Sequence, residues 1–296
     1  MKRSGGLLLV VTLALSGCST LQPESESADV TEYVTITTTP RAAPDEVPSA
    51  SAETRTESSA VGIDNAELSA IVDRAVAVHG GSAAIAISNG QSVSVGGSDF
   101  DAPAWSTIKV PLALAALRGN PAQYDNAAAA ITESNNDAAN VLWESLGTPS
   151  QAALSVESVL SEAGSPIAVN AEVLRSEFSA FGQTPWSTAE QATFAANLGC
   201  VQGADTVIEL MGNIDPSQNY GLTQVAGVSS KSGWGPNEAG AYDVRQLALI
   251  PNSSGTLGVA LTASPGAGTY EAAQSMSTQL AQELVGIIDQ YFAGEC

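Results

Sequence analysis

The chain has one histidine, His79, and three cysteines, Cys18, Cys200 and Cys296. A single imidazole cannot complete a His-rich metal set, and with no Cys-x-x-Cys pair present no metal site is expected. Basic residues are scarce too: 10 Lys and Arg stand against 31 Asp and Glu, for a formal net charge of −21. That acidity argues against nucleic acid as a partner and against polybasic docking on anionic lipid. No Gly-x-Gly-x-x-Gly or Walker pattern follows a strand-like run, and Gly266 and Gly268 read as a loop, so no nucleotide or other cofactor is expected. Long apolar runs are missing as well. The stretch from Leu7 to Leu15 is too short to cross a bilayer as a mature helix.

What is present begins with Met1-Lys2-Arg3 ahead of that apolar stretch, a signal-peptide pattern over residues 1–17. It closes on Leu15-Ser16-Gly17-Cys18, which resembles a bacterial lipobox. The resemblance implies cleavage before Cys18, lipid on its thiol and an extracytoplasmic address at the cell membrane, with lipid as the only membrane contact. Ordinary secretion with an incidental cysteine is the alternative. Residues 18–62 are rich in Ser, Thr, Pro, Ala and Glu with few large apolar side chains, a composition expected to give a disordered tether. Residues 63–296 suit one domain with an ample core. Export and an even remainder after Cys18 point to a disulfide between Cys200 and Cys296, with two buried thiols as the other option.

Within the domain, Leu68, Ile71, Val72, Ala75 and Val76 follow helical spacing over residues 64–78. Two alternating runs around Asn89-Gly90-Gln91 predict a hairpin. A mostly helical stretch is expected from Ser106 to Met211, three strands near 229–234, 244–250 and 257–262, and a last helix over 270–292 with Met276, Leu280, Leu284, Ile287 and Tyr291 on one stripe. In that order, the first and last helices can cover one sheet face and the helical block the other, an α+β arrangement.

Ser106-Thr107-Ile108-Lys109 opens the helical block. Read as the first helical turn, the spacing puts the Ser106 hydroxyl and the Lys109 amine on one face, where they can share a proton. His79 lies well outside this motif, so a serine nucleophile here would need another base, and the lysine is the obvious candidate. At an ordinary pKa of about 10.4 lysine is a poor base near neutrality, and desolvation or a second cation has to lower it. A second lysine stands in Lys231-Ser232-Gly233, and Ser134-Asn135-Asn136 lies between.

Ser-x-x-Lys, Ser-x-Asn and Lys-Ser/Thr-Gly in this order resemble the set of class A β-lactamases and penicillin-binding proteins. The resemblance spans roughly residues 63–292 and implies an antiparallel five-stranded sheet flanked by terminal helices, an all-helical lobe, and a cleft between them. It implies acyl transfer on a β-lactam or a peptidoglycan stem peptide by a protein expected to be monomeric. Ser106 would be acylated, with Lys109 as base or relay. Ser134 would pass a proton to the leaving nitrogen, and Lys231 would hold Lys109 partly neutral. Asn136 supports the site or substrate, and Asn140 matches a residue that buttresses the cleft loop. Ser134 also reads as a helix cap. Gly233 admits a substrate backbone, and Trp234 either stacks on substrate or packs at the sheet edge. Arg245 stands where class A enzymes carry a carboxylate-binding arginine and would clamp a carboxylate with Ser232; a surface pair with Asp243 is the alternative.

Two departures qualify the match. Ser106 and Ser134 are 28 positions apart, roughly half the family separation. Arg175-Ser176-Glu177 resembles the start of the class A omega loop, which makes Glu177 the candidate deacylating carboxylate, but the following stretch is short and no Asn stands four positions after it. That shortening leans toward slow hydrolysis, as in a penicillin-binding protein. A wall-associated binding lipoprotein without turnover is the third reading.

Overall fold

The computed structural model describes residues 65–99 and 101–294, which fall within one compact unit. The expected signal peptide, Cys18, the tether and its boundary at 62/63 lie outside the described residues, as does Cys296. Five strands form one antiparallel sheet in the order β2-β1-β5-β4-β3: β1 (Ser82–Ser88), β2 (Val93–Gly97), β3 (Ser229–Pro236), β4 (Tyr242–Asn252) and β5 (Gly255–Ser264). The first hairpin turns where expected, because the Asn89 side chain accepts from the Gln91 and Ser92 backbone N–H groups and Gly90 takes a positive φ.

Helices α1 (Asn65–His79) and α8 (Tyr270–Val285) cover one face. There Leu68, Ile71 and Val72 meet Ile85, Ile87, Val259 and Leu261, along with Met276, Leu280 and Leu284. The other face carries the helical block: α2 (Lys109–Gly119), α3 (Tyr124–Thr132), α4 (Asn136–Ser145), α5 (Pro149–Glu162), α6 (Thr188–Asn197) and α7 (Asp205–Met211). Its core joins Ile108, Leu112, Leu142, Trp186 and Phe194 to Ala86, Leu247 and Ala260 of the sheet. Gly258 is what lets α6 lie directly on β5, since a Cβ there would collide with Ala192 O and Ala196 N. Trp186 is held in this core by a 2.9 Å bond from its indole N–H to Ser165 Oγ and by Phe194 edge-on at 5.3 Å; truncation of such a residue costs about 3–5 kcal/mol.

Two expectations on element bounds need correction. The last helix stops at Val285 and does not reach 292. It ends at Gly286, which keeps right-handed backbone, a single tight turn follows at Ile288–Gln290, and Asn252 Nδ2 ties the segment to the β4–β5 turn through Ile288 O and Tyr291 O. The apolar stripe therefore outlasts the helix, with Ile288 and Tyr291 still buried. The helical block is interrupted over residues 163–187, where Gly164, Pro166 and Pro185 favour irregular backbone. That stretch pairs with the chain leading into Ser106: Ala104 N donates to Thr184 O and Trp186 N to Ala102 O.

Candidate active site

Ser106 does not open a regular α-helix as expected. It sits in one tight turn, Trp105–Ile108, that runs into α2 at Lys109. The turn is pinned by Thr107, whose Oγ1 donates to Ala104 O at 2.6 Å, and it starts from Trp105 at φ 50, a left-handed value. Ser106 Oγ has no hydrogen-bond partner among the described residues and faces a cavity of about 460 Å³.

Lys109 points from the first turn of α2 into the gap between α2 and the α3–α4 corner. It is 2% exposed, and its Nζ donates to Ser134 O and to Asn136 Oδ1, both at 2.7 Å. Burial brings its pKa from 10.5 down to about 7. Lys231 comes from the edge strand β3 with 0% exposure. Its Nζ donates to Ser134 Oγ at 2.9 Å and Ser232 O at 3.0 Å. Burial, and then the Lys109 charge, hold it well below 10.5. Burial is the leading cause for both amines, and repulsion between their like charges acts on the pair.

Ser134 joins the two amines, its carbonyl to one and its hydroxyl to the other. It can do so because it adopts φ 59 between α3 and α4, which turns both groups toward the lysines. The capping role weighed for Ser134 belongs to its neighbour: Asn135 Oδ1 accepts from Ala138 N at 2.9 Å at the start of α4. Asn136 and Asn140 line the same cavity as Ser106, Lys109 and Ser134.

No protein-family model and no curated protein matches the sequence. Solved structures do. The TLA-3 extended-spectrum β-lactamase aligns with a TM-score of 0.62 at 11% identity, over 76% of this chain and 100% of that one. A class A β-lactamase from Mycobacterium abscessus gives 0.60 at 13%, over 75% and 99%. A variant of the last common ancestor of Gram-negative bacteria class A β-lactamase gives 0.60 at 16%, over 76% and 99%. The chain has the class A β-lactamase fold.

Within that β-lactamase fold the predicted carboxylate clamp is not assembled. Ser232 pairs in register with Gln246, and Arg245 pairs with Gly233, so with a side-chain period of two the serine and the arginine lie on opposite faces of the sheet. Ser232 Oγ accepts from Gln246 Nε2 at 2.7 Å. Arg245 lies under the Ser106 turn at 0% exposure, and its three guanidinium nitrogens have no hydrogen-bond partner. Burial lowers its pKa to about 10, opposed chiefly by Asp243. The surface pair with Asp243 does not form either, since the arginine is not at the surface. Gln246, which the sequence reading passed over, holds the neighbourhood together by also accepting from Leu222 N and donating to Tyr220 O.

Gly233 does what only a glycine can here: a Cβ would stand 2.6 Å from Ser106 N. Trp234 stacks on Tyr270 at 5.3 Å and still borders the cavity. Glu177 also borders it, but from the rim, with its side chain 58% exposed. Its carboxylate accepts from Ser176 Oγ at 3.3 Å and Arg175 NH2 at 3.4 Å. Its own backbone N–H, and then these two groups, hold it below the ordinary carboxylate range. Arg175 reaches across the cavity mouth to donate to Pro236 O at 2.6 Å and covers the Phe178 ring at 4.5 Å. A cross-cleft tie of this kind depends on long-range packing and left no trace in the local sequence.

Cys200 is disulfide-bonded. Its predicted partner Cys296 lies outside the described residues. The last described residue, Gly294, packs on Asn89 O, and Asn197, three positions before Cys200, donates to the adjoining Gly90 O.

Proposed function

We propose that the chain is an exported, lipid-anchored serine acyl-enzyme hydrolase acting on β-lactams or on D-Ala-D-Ala-like amides of peptidoglycan. The observation that carries this reading is Ser134 bridging Lys109 and Lys231 beside an unengaged Ser106 hydroxyl. Lys109, with a pKa of about 7, is about half neutral at pH 7 and largely neutral above it, and takes the Ser106 proton as Oγ bonds to the substrate carbonyl carbon. The carbonyl oxygen gains charge at the Ser106 N–H, where Gly233 leaves room. When the carbon–nitrogen bond breaks, Ser134 Oγ gives its proton to the leaving nitrogen and regains one from Lys231, the amine that its hydroxyl touches. Water then cleaves the ester, with Glu177 as the candidate base.

Glu177 also favours a second reading. Its carboxylate is engaged by Ser176 and Arg175 at an exposed rim, a poor setting for aligning a water, and slow deacylation is the behaviour of a penicillin-binding protein or D,D-carboxypeptidase. Intact mass followed over time after penicillin exposure separates the readings. A transient adduct on Ser106 means a lactamase and a persistent one a binding protein. No adduct overturns both and leaves a binding lipoprotein. Radiolabelled palmitate on the parent, lost in Cys18→Ser, tests the anchor.

A further inference from the structure

Trp105 occupies the left-handed region directly before the candidate nucleophile, a conformation that a bulky residue keeps only when its surroundings enforce it. Those surroundings are specific. The indole N–H donates to Asp243 Oδ1 on β4 at 2.6 Å. The six-membered ring lies where a Cβ on Gly235 would stand, 2.6 Å from three of its carbons. Phe178 meets it edge-on at 5.2 Å, and a Cβ on Gly233 would crowd both Trp105 Cβ and Ser106 N. The two glycines of β3 make space for the ring, but van der Waals contact lets a flat ring slide in its own plane. The bond to Asp243 is the contact that stops it.

Asp243 has its own support. Arg245 lies two residues further along β4 on the same face, buried and without a hydrogen-bond partner, and Asp243 acts on it more strongly than Asp99, Asp101 or Glu190. A buried guanidinium without hydrogen bonds is expensive unless a fixed anion stands near it. Burial pushes the Asp243 carboxyl up to about 6, and Trp105 and Arg245 oppose that rise.

We propose that Trp105 and Asp243 are the positioning pair of the nucleophile turn, with Arg245, which does not reach the cleft, as the buried cation on the same face of β4 as the acceptor. The proposal rests on the reading of Ser106 as the acylated residue. It assigns Trp105 a role through its N–H, beyond the bulk of its ring.

The test is a double-mutant cycle on the full chain, with penicillin as probe. Trp105→Phe keeps a ring and removes the donor; Asp243→Ala removes the acceptor. Each is expected to slow acylation by about tenfold to a hundredfold, as loss of a hydrogen bond to a charged group does, with the saturation constant for penicillin unchanged. The double variant should be no slower than either single one. Asp243→Asn, which retains an oxygen acceptor, should recover rate relative to Asp243→Ala. Amide hydrogen exchange at Thr107, whose N–H donates to Ala104 O at 3.1 Å, should accelerate in both single variants at matched thermal midpoints. Parent-like acylation in Trp105→Phe, or strictly additive losses in the double variant, overturns the proposal. If penicillin never labels Ser106 in the parent, the functional reading fails, and unaltered exchange at Thr107 in Trp105→Phe would then overturn the positioning pair on its own.

Discussion

Replacing Lys109 by methionine separates what the buried amine costs from what it does. Burial moves its pKa from 10.5 in the ordinary state to about 7 in the fold, so the folded chain binds this proton less readily than the unfolded chain. For a base lowered on folding, stability is intact above pH 10.5, falls as pH descends toward 7, and levels off below. At about 1.4 kcal/mol per pKa unit the loss reaches about 4–5 kcal/mol near neutrality. Methionine has a similar length and no charge, and escapes it. It also leaves Ser134 O and Asn136 Oδ1 without their donor, at about 1–3 kcal/mol each. Above pH 10.5 only that second effect remains, and the variant should be the less stable protein. Toward pH 7 the difference should move by about 4 kcal/mol in its favour. Relief of Lys231, which Lys109 also lowers, acts in the same direction. Urea unfolding of parent and variant at both ends of that range measures the change, since titrating groups other than Lys231 cancel in the difference. A difference that stays flat refutes the claim that burial lowers the Lys109 pKa. In the same variant acylation by penicillin should slow by more than about a hundredfold, and an unchanged rate would move the base elsewhere.

Ser106→Ala should abolish covalent labelling by penicillin in intact-mass measurements, because no other serine in the cavity has a lysine one turn away; surviving label would sink the assignment. Glu177→Gln should prolong the acyl-enzyme without slowing its formation, and equal lifetimes in parent and variant would make Glu177 only a rim residue that Arg175 engages. Non-reducing peptide mapping should recover the Cys200 peptide joined to the C-terminal one. The bridge would close a loop of nearly one hundred residues and contribute up to about 4–5 kcal/mol in the chain-entropy model. Recovery of Cys200 joined to Cys18 instead would refute the pairing.

Local spacing determined much of this protein. The apolar periods of residues 64–78 and 270–292, and the hairpin at Asn89-Gly90, are short-range patterns, and the elements formed there, although the last helix stops at Val285, short of its pattern. Ser106 with Lys109, Ser134 with Asn136, and Lys231 were legible because each motif pairs residue types whose chemistry makes sense within one turn or one strand. Tertiary structure decided how the motifs meet. Ser134 became the bridge through a left-handed backbone that only the α3–α4 corner imposes, and the low pKa of Lys109 followed from how deeply the two lobes bury it. Arg245 shows the limit most clearly. Its strand was read correctly, but a register of one residue puts Gln246 beside Ser232 and sends the guanidinium to the opposite face of the sheet. Sequence alone does not encode that register, because it is set by pairing across strands far apart in the chain. For the same reason the indole of Trp105 found Asp243, 138 positions away, through packing that neither residue's neighbours announce.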